Sequence, residues 1–155
     1  MKLTASIILF LVTTFISQLP AQEANVKQLV DAKRYIFRAQ SVTPTSGGII
    51  QLSRGYDLTV MPDSVIAYLP YYGRVYQAPT NTDEAGIKFT SINFDYTQKE
   101  RKKGGWDIVI KPKDARNSIQ MFLTISENGR TLVNLTSSDR QSISYKGYIE
   151  GGGKK

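Results

Sequence analysis

The strongest constraint on the fold is a two-residue alternation of apolar and polar side chains that recurs in short segments along most of the chain. It is clear in Tyr35–Gln40, in Trp106–Ile110 and in Ile119–Ile125. Successive side chains of a β-strand point to opposite faces, so this period predicts half-buried strands. Turn residues separate the segments, and Asn128-Gly129 is the strongest hairpin signal.

A single helical segment precedes the strands. From Gln22 to Ala32, apolar residues stand three and four positions apart, which predicts one short amphipathic helix. Crossover helices are missing from the remaining pattern, which disfavours a parallel sheet. We therefore expect a mainly β fold, either an antiparallel β-sandwich or a flattened, lipocalin-like barrel of about eight strands with one short N-terminal helix.

Three segments give more specific expectations. Val65–Leu69 is apolar at every position, which predicts a central strand covered on both faces. Val75–Tyr76 predicts the start of another strand. In the third segment, the apolar residues stand at odd positions up to Phe89 and at even positions from Ile92. A bulge near Thr90–Ser91 would place both groups of apolar residues on one face of the strand.

The N-terminus has the pattern of a secretory signal peptide. A lysine at position 2 precedes an apolar run from Ala5 to Ile16, and a polar exit follows. The run is shorter than the roughly 20 apolar residues that span a bilayer. We expect a signal peptide over residues 1–21 with cleavage near Ala21, and therefore an exported protein, periplasmic or extracellular.

The remaining length predicts one all-β domain over residues 22–150, followed by a disordered tail over 151–155. The chain has no cysteine, so neither a disulfide nor an acylated cysteine is available. We expect no transmembrane anchor and no lipid anchor. The formal charge of +7 becomes +6 without Lys2, since 19 basic residues then face 13 acidic ones. Outside the cytoplasm the polyanions are envelope components, so we expect a glycan, lipid or protein partner and no nucleic acid.

The composition excludes several chemistries. The chain has neither histidine nor cysteine, which rules out serine–histidine and cysteine–histidine hydrolysis and the commonest metal ligands. We expect no cofactor and no metal; Asn81, Asp83 and Glu84 lack a calcium-loop pattern and favour an ordinary polar turn. A carboxylate-dependent glycan hydrolase stays open, because two carboxylates about 5–10 Å apart would suffice. The candidates on or beside strands are Asp57, Asp95 and Asp107.

The most distinctive stretch is the turn from Leu69 to Pro79, where three tyrosines and an arginine lie among proline and glycine. Tyrosine and arginine are enriched at binding hot spots. The alternative is a tyrosine-rich corner that packs the fold. The candidate binding residues are Tyr71, Tyr72, Arg74 and Tyr76.

A second candidate surface is the charged segment Gln98–Gly105, which two glycines and its polarity identify as an exposed hairpin loop. Its cations suit an anionic surface, each contributing about 1 kcal/mol near charged head groups. A solvated hairpin tip is the alternative. Trp106 is expected in the core. The candidate contact residues are Lys99, Arg101, Lys102 and Lys103.

Four pieces of the chain resemble the domain of unknown function 4251 family: Tyr35–Gln40, Leu69–Tyr76, Lys103–Trp106 and Arg140–Gly147. The resemblance implies a small exported protein of Bacteroidota with an all-β body and no assigned activity, and it brings no catalytic residue. Asp63-Ser64-Val65 resembles a short O-glycosylation acceptor of Bacteroidota envelope proteins, which makes Ser64 a candidate modification site.

These observations favour an exported, non-enzymatic binding or accessory module of the cell envelope. A carrier of a small apolar ligand or lipid is the first alternative, and it requires a hollow barrel interior. The carboxylate-dependent glycan hydrolase is the second. A packed interior and separated carboxylates would favour the binding module.

The signal peptide can be tested directly. The full chain is expressed in a Bacteroidota host, and mass spectrometry of the exported protein should find Gln22 as its first residue, because signal peptidase cleaves after a small residue that follows the apolar run. A matched variant, Ile8→Arg with Leu11→Arg, should stay in the cytoplasm. Export of an intact chain that begins at Met1 would contradict the expectation.

Overall fold

The computed structural model describes residues 19–76 and 86–152, and most of them form one curved antiparallel sheet. The elements are α1 (Leu19–Asp31), β1 (Tyr35–Pro44), β2 (Ile50–Gln51), β3 (Asp57–Val60), β4 (Val65–Leu69), β5 (Ile87–Ser91), β6 (Phe94–Glu100), β7 (Trp106–Pro112), β8 (Gln120–Ile125), β9 (Arg130–Thr136) and β10 (Ile143–Gly151). The strand order is β5-β4-β3-β1-β10-β9-β8-β7-β6, and β2 pairs with β1. This confirms the mainly β, antiparallel class, as a nearly closed barrel with one short N-terminal helix.

The barrel closes through one bent segment. β5 and β6 stand at opposite ends of the strand order, yet only Ile92–Asn93 separates them along the chain. The Asp114 carboxylate holds this corner, since it accepts hydrogen bonds from the backbone N–H of Ile92 at 2.9 Å and of Asn93 at 3.2 Å, and from the Ser91 hydroxyl. One continuous segment therefore joins the two edges of the sheet.

The bulge expected near Thr90–Ser91 is wrong, because the structure has a corner at Ile92–Asn93 instead. The chain leaves the ladder for two residues instead, and the side chain of Ile92 is 77% exposed. Inward positions resume at Phe94, which packs against the core. The parity change in the sequence therefore marks a change of partner, from β4 to β7, rather than a bulge within one pairing.

Large side chains fill the barrel interior. The Tyr35 and Tyr96 hydroxyl oxygens lie 3.2 Å apart, and burial raises the pKa of Tyr96 to about 12. Inward positions of both halves of the sheet contribute to the packing. The largest fully buried side chains are Tyr35, Phe37, Leu58, Leu69, Ile108, Ile110, Met121, Leu123, Ile125, Leu135, Ile143 and Tyr145.

Helix α1 covers one end of the barrel. Val26 and Val30 are buried in the core. Polar contacts tie the helix to β6: the Lys27 ammonium lies 3.4 Å from the Glu100 carboxylate, and Gln98 donates a hydrogen bond to Asp31 at 3.1 Å. The helix therefore lies beside the edge of β6 that pairs with no described strand.

Two expected strands differ in the structure. β4 alternates buried and exposed side chains, with Ile66 and Tyr68 facing outward, so the expected cover on both faces is wrong. β4 has only one buried face because its other face lies on the outer surface of the barrel, in contact with solvent. Val75–Tyr76 does not start a strand; Val75 makes only an isolated bridge with Arg140.

Other expectations are confirmed or lie outside the described residues. The hairpin between β6 and β7 and the turn before β9 are present, and Trp106 is buried. The apolar leader, the polar loop with Asn81, Asp83 and Glu84, and the last three residues of the tail lie outside the described residues.

The close approach of β1 and β10 gives a stability prediction. A Cβ on Gly147 would overlap the carbonyl oxygen of Arg38, whereas a Cβ on Gly151 of the same strand would make an ordinary contact with Leu29. We expect Gly147→Ala to lower the free energy of unfolding by about 3 kcal/mol, because the strand pair must separate. Gly151→Ala should change it by less than about 1 kcal/mol. Urea unfolding measures both, and equal effects would contradict the packing described.

Candidate functional site

The end strap, defined as Pro70–Tyr76, crosses the barrel end at which β10 begins, whereas α1 packs near the last residues of β10. It leaves β4 directly after Leu69. The buried Tyr145 hydroxyl donates a hydrogen bond to the Pro70 carbonyl at 2.7 Å. The strap is thus attached to the core at its first residue.

Tyr71 anchors the middle of the strap. Its hydroxyl lies 2.9 Å from the carbonyl oxygens of both Arg74 and Gln141 and can donate to either. The Arg140 guanidinium lies 5.0 Å from the centre of the Tyr71 ring. Desolvation raises the pKa of this tyrosine. Tyr71, a candidate binding residue, therefore faces the protein and fixes the turn.

Backbone hydrogen bonds hold the end of the strap against the segment before β10. The N–H of Tyr76 donates to the Asp139 carbonyl at 2.7 Å, and the N–H of Gln141 donates to the Arg74 carbonyl at 3.0 Å. The Gln141 side chain also accepts a hydrogen bond from the N–H of Arg74 at 3.3 Å. The strap backbone is held along its length.

A buried ion pair supports the strap from below. Asp139 is only 5% exposed, and its carboxylate lies 2.7 Å from the Arg140 guanidinium. Asn117 donates to the carboxylate at 3.1 Å, and the Ser137 hydroxyl donates as well. Burial by itself would raise the pKa of Asp139, but the hydrogen bonds from Arg140 and Ser137 and the charge of Arg140 outweigh it, so this pKa lies below its usual range.

The ion pair also contacts the residue before β5, because the Arg140 guanidinium donates a hydrogen bond to the Gly86 carbonyl at 3.2 Å. Sequence analysis missed Asp139. It lies in a polar stretch between two strands, where a solvated turn is the ordinary expectation. The only signal was the adjacent arginine in one of the four family-like pieces.

Three of the four strap candidates share the outer surface. Tyr72 is 40% exposed and Tyr76 is 61% exposed, and Arg74 is exposed between them. The strap therefore presents two tyrosine rings and one guanidinium to solvent from a backbone held by Tyr71. Such groups can stack on flat or apolar ligand surfaces and donate hydrogen bonds.

The four basic candidates lie elsewhere. Lys99 is at the end of β6, and Arg101, Lys102 and Lys103 are in the hairpin that follows; all are exposed. Their neighbour Glu100 contacts helix α1. The structure therefore places the basic hairpin at the helix end of the barrel and does not bring it together with the strap.

The three candidate carboxylates do not share a site. On the adjacent strands β6 and β7, Asp107 is opposite Lys99, which stands four positions from Asp95. At roughly 3.3 Å per residue that separation is about 13 Å, wider than the 5–10 Å of glycosidase pairs. Each carboxylate has a cationic partner: Asp57 pairs with Arg38, Asp95 with Lys113 and Asp107 with Arg101.

Within residues 19–76 and 86–152, no group of three or more acidic side chains is arranged to hold a metal ion. Over the same ranges, no helix has the length and apolar character needed to cross a membrane.

The chain matches the model of a described family, and its fold resembles that of a solved structure. The model of a family described as "Domain of unknown function (DUF4251)" matches residues 18–149. The fold resembles the crystal structure of a DUF4251 family protein from Bacteroides eggerthii DSM 20697, with a TM-score of 0.65 and 15% sequence identity over 86% of this chain and 92% of the other. No curated protein matches the chain.

The Asp139–Arg140 pair predicts a pH-dependent stability. The folded-state pKa of Asp139 lies below its ordinary value of 3.8, so its contribution is fully present above that value and is lost as the pH falls through the folded-state pKa. Asp139→Asn should lower the free energy of unfolding at pH 7 by about 3 kcal/mol, because the Arg140 guanidinium, only 12% exposed, is left without its counter-charge. The variant should also show a smaller decrease in the free energy of unfolding as the pH falls into the acidic range.

The matched control is Asp95→Asn, which removes an exposed carboxylate paired with Lys113. It should cost less than about 1 kcal/mol. Urea unfolding between pH 3 and pH 7 makes the comparison. An Asp139→Asn protein with wild-type stability at pH 7 would contradict the supporting role of the ion pair.

Proposed function

Since this chain belongs to the DUF4251 family, whose description names no activity, we propose a function from the chain's own surface. The protein is an exported, non-enzymatic binding or accessory module of the cell envelope. The end strap is its contact surface, through Tyr72, Arg74 and Tyr76. Its partner is an envelope glycan, lipid or protein.

The observation that carries the proposal is the contrast between the strap backbone and its outward side chains. Hydrogen bonds of Tyr71 and Tyr76 fix the turn, while the Tyr72 and Tyr76 rings remain exposed. A surface that is ordered before binding loses less conformational entropy when a partner docks. Exposed tyrosine and arginine side chains on a fixed turn are typical of recognition sites.

Export is part of the proposal, and the fold is compatible with it. Cleavage after Ala21 would remove only the first three residues of α1. Val26 and Val30, which pack into the core, would remain. The mature chain would therefore keep the helix that covers one end of its barrel.

The same features make the two alternatives weaker. A carrier needs interior space, whereas fully buried large side chains such as Tyr35, Phe37 and Met121 occupy inward positions here. A retaining or inverting glycosidase needs a close carboxylate pair. Asp95 and Asp107 are too far apart, and Asp57 lies on β3, a strand adjacent to neither β6 nor β7.

The proposal is tested with the purified mature protein and three probes that represent the partner classes: peptidoglycan sacculi, vesicles of phosphatidylethanolamine with phosphatidylglycerol, and isolated outer-membrane proteins. Wild-type protein should bind one of them saturably. Tyr72→Ala with Arg74→Ala should weaken that binding at least about tenfold, because exposed tyrosine and arginine anchors carry much of an interface's free energy.

The matched control is Phe122→Ala with Lys111→Ala, which also removes one exposed aromatic side chain and one cation, on the outer face of β8 and β7. The control should bind within about twofold of wild type. Equal binding by the strap variant and wild type would overturn the strap assignment, and failure of the wild-type protein to bind all three probes would overturn the proposed function.

A further inference from the structure

The outer face of the sheet carries a long depression, here called the outer groove. It consists of two clefts of about 500 and 620 Å³ that share Gln40 and Tyr148. One cleft lies over β8, β9 and β10, and the other lies between β1 and the loop that joins β2 to β3. The groove is separate from the end strap, because no strap residue lines it.

The groove results from an irregularity in the central strand pair. The register of β1 against β10 shifts between Ala39 and Ser41, so Gln40 has no partner in β10. Its carbonyl instead accepts a hydrogen bond from the N–H of Leu52 at 2.9 Å. Gly147 on β10 adds no side chain here. The loop between β2 and β3 is thereby held beside β1 and forms one wall of the groove.

The groove lining is cationic. It includes Arg54, Arg130 and Lys146, which are exposed and make no ion pair with another described residue. Arg38 also lines the groove, but its guanidinium lies 2.7 Å from the carboxylates of both Asp57 and Glu150, so these three groups together carry a net charge of −1 and add no positive charge to the groove. Among the described residues, no aspartate or glutamate is part of the lining.

Three carboxylates near the groove are engaged with other side chains, whereas the exposed Glu127 lies in the turn before Arg130. Asp57 and Glu150 contact Arg38, and Asp107, one strand beyond Thr124, accepts a hydrogen bond from that threonine at 3.1 Å and lies 3.6 Å from Arg101. Within residues 19–76 and 86–152, Arg54, Arg130 and Lys146 therefore make no ion pair along this groove. Anions are the ligands that would balance them.

The tyrosine side chains of the groove indicate which kind of anion would bind there. Tyr148 is 38% exposed at the junction of the two clefts. Tyr56 lines the second cleft and stacks on Tyr68, with the ring centres 5.7 Å apart. A tyrosine face offers an apolar surface beside a polar hydroxyl, which suits the face of a sugar ring with its flanking hydroxyl groups. The exposed carboxamide of Gln40 can donate to and accept from the same hydroxyls.

We propose that the outer groove is a binding site for an extended acidic glycan, with a sugar ring on Tyr148 and its carboxylate or sulfate groups paired with Arg130, Lys146 and Arg54. The two clefts place cations on both sides of Tyr148, so the ligand is a chain of several sugars rather than a single one. The site is independent of the strap and adds a second contact surface to the same barrel.

The experiment uses polygalacturonate, a polymer of uronic acids, titrated into the mature protein by calorimetry. Neutral dextran and polyglutamate are the comparison polymers. Wild-type protein should bind polygalacturonate more tightly than polyglutamate and should not bind dextran, and binding should weaken as salt is raised. Tyr148→Ala should weaken polygalacturonate binding and leave polyglutamate binding unchanged.

Charge-matched variants separate the groove from the net charge of the protein. Arg130→Gln with Lys146→Gln should weaken polygalacturonate binding about tenfold. Lys102→Gln with Lys103→Gln removes the same charge from the basic hairpin and should change it less than about twofold. Arg54→Gln, in the loop outside the sheet, repeats the test at a position that no strand pairing depends on.

Several outcomes would overturn the proposal. Equal losses in the groove and hairpin variants would mean attraction by net charge alone. Polyglutamate binding as tight as that of polygalacturonate would identify an acidic-peptide site instead. Absence of polygalacturonate binding by the wild-type protein would remove the site altogether, whatever the result with the strap variants.

Discussion

The fold depends on the corner that Asp114 holds between β5 and β6. An open antiparallel sheet of this size exposes two edges, each a row of unpaired backbone groups. Here the two edge strands are consecutive, and one carboxylate binds the Ser91 hydroxyl and the N–H groups of Ile92 and Asn93 between them. The hydrogen bonds lower the pKa of Asp114, with the one from Ser91 contributing most. The sheet thereby becomes a nearly closed shell around one core, in which β5 and β6 are joined by the corner and do not pair with each other.

Closure of the sheet determines where function can reside. Because the interior is packed and α1 covers one end, the surfaces available to a partner are the other end and the outer face. The strap occupies that end, where the buried Asp139 and the partly buried Arg140 hold a turn with exposed tyrosines. The outer groove occupies the face, where the register shift at Gln40 opens the surface. Both proposed contacts thus arise from irregular backbone on a regular shell.

Much of the fold could be predicted from the sequence, because burial in a barrel repeats every two residues and the chain keeps that repeat in β1, β7 and β8. Two expectations, the fully covered β4 and the bulge before β6, were wrong because apolar residues there are exposed. Ile66 and Ile92 are apolar yet face solvent, and nothing in their neighbours distinguishes them from core residues. Local pattern also cannot show that β5 and β6 change partners, since that depends on strands distant in the chain.

The candidate site was less predictable. The tyrosine-rich turn was identified by composition, but whether each ring faces in or out depends on partners seventy residues away, such as Gln141 for Tyr71. Asp139 was missed for the same reason. Arg140 is its neighbour in the sequence, but Asn117 lies 22 residues away and only the fold brings its side chain to the carboxylate. The outer groove likewise needs the register of β1 against β10, which no single segment encodes.

The central claim is that this barrel is filled and acts through its surface. Trp106 is the only tryptophan and is buried at an inward position of β7. The most direct measurement is energy transfer from Trp106 to an apolar naphthalene dye during titration, with a fatty acid as competitor. A filled interior predicts no saturable transfer and no competition. Stoichiometric quenching of Trp106 that a fatty acid reverses would show a ligand inside the barrel and contradict the account.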